Sequence, residues 1–306
     1  MRLVFAGTPD AAVPSLRVLA ASAHDVAAVV TRTDAPLGRK RVLTPSSVAQ
    51  AATDLGLPVV KTDRLDDAAT AEIARLAPDL GVIVAYGGLV REPLLSTPRH
   101  GWINLHFSLL PAWRGAAPVQ RALVAGDSVI GAGVFQLVAA LDAGDVFDEI
   151  RYRVPPLATA DRVLADLAEQ GAELLHRVVD QIAAGTARAV PQSGEPTYAP
   201  KLTAEDGRLD WTRPADEILA RWRGTTPEPG AFTTLEGARV KVIELHRADA
   251  ESALAPGRLA LDGSAIRVGT GTDPLVLARV QPAGKSAMAA GDWYRGIRSA
   301  EPVVGS

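Results

Sequence analysis

Apolar residues in the first part of the chain fall in short unbroken runs separated by stretches of helical spacing. The runs Leu3–Ala6, Val26–Thr31, Pro58–Lys61, Leu80–Val84, Trp102–His106 and Gly133–Val138 predict strands. Between them, Ala, Leu and Val recur at helical intervals over Ala11–Ala21, Ser46–Leu55, Ala68–Leu76 and Pro118–Ala125. Alternation on this scale predicts a parallel, doubly wound α/β sheet, whose strands, buried on both faces, need no polar alternation. Ligands of such sheets bind beyond the carboxyl ends of the strands, so the residues after each run carry the candidate chemistry. A longer helical pattern covers Ala160–Ala184, with Thr159 or Asp161 placed to cap it and Gly185 where a terminating glycine belongs.

The pattern then changes. Residues 190–203, VPQSGEPTYAPKLT, hold three prolines and read as an extended linker. Two domains are therefore expected, 1–189 and 204–306. Beyond the linker, Asp216–Arg223 is a short helical segment, and Arg239–His246, Gly257–Leu261, Ala265–Gly269 and Leu275–Val280 read as closely spaced strands, with an Asp262-Gly263 turn. That spacing predicts a small barrel or sandwich.

Composition narrows the function classes. Of 306 residues, 47% are hydrophobic and 22% charged, which excludes a largely disordered chain. There is no cysteine, which removes disulfide scaffolds, thiolate metal sites and cysteine nucleophiles. The net charge is −3, and neither half is basic in bulk: 18 basic and 20 acidic residues up to residue 190, then 14 and 15. A nucleic-acid contact would therefore rest on local patches. No signal-peptide pattern or membrane-length apolar run is present, so a cytoplasmic protein is expected, monomeric and without membrane contact.

The candidate chemistry sits at strand ends. FAGTPD at 5–10 is a strand–turn–helix junction but not GxGxxG, and Pro9 removes an N–H that a phosphate cradle would use, so a nicotinamide dehydrogenase is disfavoured. TRTDAPLGRKR at 31–41 is a loop with Arg32, Arg39, Lys40 and Arg41 against the single acid Asp34. It is either a solvated charged loop or a phosphate contact. In AYGGLV at 85–90, two glycines permit close backbone approach by a ligand, which makes Tyr86 and Gly87 candidates. In INLHFSLLPAWRGAAPVQRA at 103–122, Asn104 and His106 lie two apart on a strand and share a face. An Asn amide can donate to a developing oxyanion, and a His can exchange a proton. LDAGD at 141–145 follows the next strand, so Asp142 can reach the same rim and support the imidazole, with Asp145 as an alternative that turn chemistry also explains. GxSxG, HExxH and Cys/His clusters are absent, and no metal is expected.

Asn104-x-His106 followed by SLLPAWRGAAPVQRA, with Asp142 thirty-six residues after the histidine, resembles the folate-dependent formyltransferases. The WRGAAPVQRA form is similar to their methionyl-tRNA branch. FAGTPD, VAYG at 84–87, YAPKLTAEDGRLDW at 198–211, PGAFTTLEG at 229–237 and QPAGKSAM at 281–288 extend the likeness over nearly the whole chain. The resemblance implies a Rossmann-like formyltransferase domain followed by a smaller OB-like β-barrel domain. It implies an enzyme with 10-formyltetrahydrofolate as co-substrate and the α-amino group of methionyl initiator tRNA as acceptor. It implies catalytic roles for Asn104, His106 and Asp142, and folate contacts at Ser108, Leu109, Leu110 and Pro111. It also makes residues 32–45 an acceptor-stem loop in which Arg39, with Lys40 and Arg41, meets tRNA. Phe107, Ala112 and Pro227-Glu228-Pro229 depart from common family residues and bear on fine tRNA contacts rather than on the family. A sugar-nucleotide or glycinamide ribonucleotide formyltransferase, a formyltetrahydrofolate hydrolase and a catalytically silent RNA-binding protein are the competing expectations. Trp211, Trp222 and Trp293 are either base-stacking platforms or, the favoured reading, barrel core.

Overall fold

In the computed structural model the residues described are 1–38, 41–248, 254–263 and 265–305. By its contacts the chain forms two units: residues 1–118, 130–152 and 164–199, and residues 119–129, 153–163 and 200–306.

In chain order the secondary structure up to the long helix is β1 (Arg2–Gly7), α1 (Val13–Ala20), β2 (Asp25–Thr31), β3 (Ala35–Leu37), β4 (Val42–Thr44), α2 (Ser47–Asp54), β5 (Val59–Lys61), α3 (Asp67–Arg75), β6 (Leu80–Val84), β7 (Trp102–His106), α4 (Pro118–Ala125), β8 (Val129–Gln136), β9 (Val146–Arg153) and α5 (Ala160–Ala183). Seven strands form one Rossmann-like sheet in the order β5-β2-β1-β6-β7-β8-β9. The strands from β5 to β7 pair in parallel, while β8 runs antiparallel to β7. The chain leaves β1 toward β2 and β5, then returns to its other side with β6, so the crevice between β1 and β6 is where strand order reverses. Thr8 Oγ1 donates to the Tyr86 carbonyl there at 3.2 Å.

Local chemistry fixes these elements. Ser46 caps α2 by accepting from Ala49 N at 3.0 Å, and Asp66 caps α3 the same way at 3.0 Å. On β7, Ile103 and Leu105 face one side and Trp102, Asn104 and His106 the other. The first side meets α5 at Gly171, where a Cβ would lie 3.0 Å from Leu105 Cδ2. On the second side Trp102 is fully buried over Gly81, where a Cβ would fall 2.1 Å from the indole, so glycine is required there. This face is apolar at its amino end and becomes polar only at Asn104 and His106.

Some elements differ from expectation. β8 begins at Val129, earlier than the predicted Gly133, because its buried run starts at Ile130. β9 has alternating half-buried and exposed positions and four charged residues, which is why its apolar signal is weak. The loop after β2 contains the small hairpin β3–β4, with Leu37 and Leu43 exposed. Residues 190–199 are extended and bonded along the first unit, with Val190 bridging Val146 and Tyr198 bridging Arg114.

The second unit adds α6 (Ala215–Thr225), β10 (Phe232–Leu235), β11 (Ala238–Arg247), β12 (Leu259–Asp262), β13 (Ala265–Val268), β14 (Leu275–Pro282), β15 (Met288–Ala289) and α7 (Ala290–Arg295). Its antiparallel sheet runs β10-β11-β14-β13-β12, with β15 on β14. Val304 bridges Leu235 of β10, and Val303 bridges Arg258 beside β12, which links the two edges as an OB-like barrel requires. Trp211 and Trp222 are core residues, donating through Nε1 to Thr233 Oγ1 at 2.9 Å and to the Val242 carbonyl at 3.2 Å. Trp293 joins the same core.

Candidate active site

The structure sets Asp142 beside His106, with Asn104 two residues before His106 on the same strand face, all in the first unit. His106 ends β7 and is 6% exposed. Gly133 lies opposite it on β8, and the Phe135 ring meets the imidazole edge-on at 6.3 Å. His106 Nε2 is 2.9 Å from the Trp113 carbonyl. A carbonyl only accepts, so Nε2 carries the proton and Nδ1 is the bare nitrogen. Asp142 Oδ2 lies 3.9 Å from Nδ1, beyond hydrogen-bond length, and accepts from Gly115 N at 2.7 Å. Burial pulls the His106 pKa below its ordinary value, against the opposing effects of Asp142 and the Trp113 carbonyl. Near pH 7 the imidazole is therefore neutral, and the resting site presents two acceptors facing each other: a ring nitrogen and a carboxylate oxygen.

Asn104 stands two residues before His106 on the same face. Its Oδ1 is buried and has no hydrogen-bond partner. A buried amide oxygen without a partner is destabilising by about 1–3 kcal/mol, which marks Asn104 as held for something other than stability.

The loop after β7 is shaped by its own bonds. Ser108 is buried, and its hydroxyl donates to the Ala112 carbonyl at 2.6 Å. Leu109 packs where a Cβ at Gly131 would intrude. Leu110 and Pro111 are half-buried. Phe107 is buried, and Ala112 is half-buried. Gly115 has φ +124°, and a Cβ there would meet the Ala199 carbonyl at 2.8 Å. At the neighbouring strand end the Tyr86 ring is in the core and its hydroxyl donates to the Thr62 carbonyl, so what Tyr86 offers a ligand is backbone. Gly87, at φ +77°, accepts from Arg32 Nη2 through its carbonyl at 2.8 Å. Arg39 and Lys40 lie outside the described residues. Arg41 is exposed at the turn between β3 and β4, and Asp34 at the base of that hairpin is paired with Lys61 at 2.6 Å.

Sequence reasoning missed Gln192 and Thr197. Gln192 Nε2 donates to the carbonyls of Asp142 and Gly144, both at 2.8 Å, and its Oε1 accepts from Arg114 Nη2 at 2.6 Å. Thr197 Oγ1 accepts from Trp113 N at 2.9 Å. Their only sequence signal was a Pro-rich segment carrying polar side chains. A separate cluster brings His24, His176 and Asp180 within 4.8 Å, with His176 and Asp180 four apart on α5. There the Met1 amino group sits 3.1 Å from His24 Nδ1, which leaves the His24 proton on Nε2, aimed at Asp180 2.9 Å away.

The model of the family described as "Formyl transferase" matches residues 1–179, and that of "Formyl transferase, C-terminal domain" matches residues 201–298. The chain belongs to the formyl transferase family. Its similarity to curated family members runs end to end. It is 60% identical to the methionyl-tRNA formyltransferase of Clavibacter sepedonicus, over 99% of this chain and 100% of that protein. It is 61% identical to the methionyl-tRNA formyltransferase of Leifsonia xyli subsp. xyli, over 97% of each. Among solved structures, the N-formyltransferase from Helicobacter canadensis in complex with folinic acid and dTDP-3-aminofucose aligns with a TM-score of 0.68 at 14% identity, over 92% of this chain and 98% of that one. HypX from Aquifex aeolicus in complex with tetrahydrofolic acid aligns with a TM-score of 0.63 at 16% identity, over 99% of this chain and 50% of that one. These two show the fold of the family. No helix among the described residues is long and apolar enough to cross a membrane.

Proposed function

We propose that this formyl transferase moves the formyl group of 10-formyltetrahydrofolate to the α-amino group of methionyl initiator tRNA. The reading rests on 60% identity, over 99% of this chain, to a methionyl-tRNA formyltransferase, and is supported by Asp142 lying 3.9 Å from His106 at the end of the strand that also bears Asn104. The acceptor must be a neutral amine, and an α-amino group with a reference pKa of roughly 7.7–8.0 needs only a modest pull near neutral pH. The amine nitrogen attacks the formyl carbon, and the carbonyl electrons move onto oxygen. The Asn104 amide donates to that oxyanion. His106 Nδ1, bare in the resting protein, takes the proton the amine sheds, and the imidazolium so formed faces the Asp142 carboxylate. The carbonyl re-forms, the bond to N10 of the folate breaks, and N10 takes up the proton held on His106, which returns to its neutral state. Protonation of His106 thus comes during the reaction rather than before it. Ser108 to Pro111, with the backbone of Tyr86 and Gly87, would border the folate, and Arg41 at the turn of the hairpin, together with Arg39 and Lys40, would meet tRNA phosphates.

The test is formyl transfer from 10-formyltetrahydrofolate to methionyl initiator tRNA, beside His106→Ala, with methionyl elongator tRNA, a sugar-nucleotide amine and water as alternative acceptors. Product on the initiator tRNA alone, lost in His106→Ala, is expected. Turnover only with the sugar amine, or folate hydrolysis without acceptor, would replace the proposed substrate.

A further inference from the structure

We infer that Gln192 is a positioning residue for His106: it ties together the two loops that bracket the imidazole and so sets which ring nitrogen carries the proton. This rests on the function proposed above. The loop at residues 113–115 supplies the Trp113 carbonyl to Nε2, and the turn at residues 142–144 supplies the Asp142 carboxylate to Nδ1. Gln192 lies 50 residues from Asp142 and 78 from Arg114, and it holds both. Its Nε2 donates to the carbonyls of Asp142 and Gly144, both at 2.8 Å. Its Oε1 accepts from Arg114 Nη2 at 2.6 Å and Nε at 3.2 Å. Two amide hydrogens and two oxygen lone pairs are all used, so the carboxamide is fully satisfied in this one orientation.

The turn it holds needs holding. Asp142 sits at φ +45°, the left-handed region that Asp enters more readily than most side chains but that few other residues adopt. Gly144 has no room to shift toward β8, since a Cβ there would fall 1.7 Å from the Gln136 carbonyl. The ring of contacts is closed: His106 to Trp113, along the chain to Arg114, across Gln192 to Asp142, and back to His106. Gly115 N on Asp142 Oδ2 braces it from within. Only Gln has both the reach and the donor–acceptor pair. Glu at this position would keep Arg114 but turn a carboxylate oxygen against two carbonyls.

The experiment compares the wild-type full-length protein with Gln192→Glu and Gln192→Ala, using Glu195→Gln, exposed in the same segment, as control. Two readouts are taken. The first is the ¹⁵N shift of the His106 ring nitrogens in the protein without substrates. A single Nε2–H tautomer is expected for wild type and control, with exchange between tautomers in both Gln192 variants. The second is steady-state formylation, where kcat should fall about 10²-fold in Gln192→Glu while KM for either substrate changes less than about 3-fold, as for sub-ångström misplacement of a reacting group. An unchanged tautomer in both variants, with melting temperatures matching wild type, would overturn the inference. So would a loss expressed in KM alone. The NMR readout needs no substrate, so failure of the proposed reaction and failure of the positioning role give different results.

Discussion

Replacing Asp142 with Asn removes a charge while leaving the shape of the site. The carboxamide oxygen can still accept from Gly115 N, which now bonds Oδ2 at 2.7 Å. What is lost is the negative charge 3.9 Å from His106 Nδ1. At an effective dielectric of about 20, two unit charges at that separation attract by about 4 kcal/mol. The attraction is absent in the resting state, where the imidazole is neutral, and present once His106 has taken the amine proton. The whole of it therefore acts on the transition state and not on substrate binding, so Asp142→Asn should lower kcat by up to about 10³-fold with little change in KM. Single-turnover formylation at saturating tRNA and folate measures this directly. Asp142→Ala should be at least as slow and also less stable by about 1–3 kcal/mol, because Gly115 N then has no partner. If Asp142→Asn turned over within 3-fold of wild type, the carboxylate would not be facing a charge when the reaction occurs.

Asn104→Ala should reduce kcat by about 10²–10³-fold, as for removal of one oxyanion donor, without lowering the melting temperature, since its Oδ1 has no partner to lose; a cooler melt would contradict the reading of that orphan atom. His106 binds its proton less readily folded than unfolded, so its share of stability is complete above its ordinary pKa of roughly 6.5 and is lost as pH falls through that value toward the depressed folded one. Denaturant melts from pH 8 to pH 5 should show this loss, and His106→Gln should flatten it; an equal slope in both would assign the loss elsewhere. Gly81→Ala drives a Cβ to 2.1 Å from the fully buried Trp102 ring and should destabilise by about 1–3 kcal/mol, read by calorimetry, and an unchanged transition would mean the indole can move. Arg41→Ala should reduce the slope of log affinity for methionyl tRNA against log salt by about 1, whereas an equal slope would take Arg41 out of phosphate contact.

The parallel strands were legible because burial on both faces leaves an unbroken apolar run, as in Leu80–Val84 and Trp102–His106, whose bounds the structure reproduces. β9 was not, because an alternating strand with charges on its exposed positions carries no such run. The hairpin β3–β4 was missed for a related reason, since its positions are exposed or half-buried and carry no buried apolar run, and β10 was missed because two threonines break its apolar run. The shared face of Asn104 and His106 was legible from spacing two on a strand, and the nearness of Asp142 to His106 from its place after the next one. The protonation state was not. It depends on the Trp113 carbonyl and on burial, and the chain supplies both through a loop fold that spacing does not encode. Gln192 was hidden for the same reason, since a glutamine between prolines gives no hint that its amide spans two loops.

The segment that carries Gln192, Thr197 and Ala199 has a bearing on how this enzyme is cut or recombined. The family match to the catalytic half ends at residue 179, and an apparent linker starts soon after, which invites truncation near residue 189. The first unit, however, extends to Ala199, whose carbonyl accepts from Ala117 N at 3.1 Å and whose N–H donates to Arg114 at 2.8 Å. A fragment or chimera joined before that point would carry every candidate catalytic side chain but lose the scaffold that aims them. A cut at residue 189 would part Gln192, Thr197 and Ala199 from the loops they bond, inside what reads on paper as a tether.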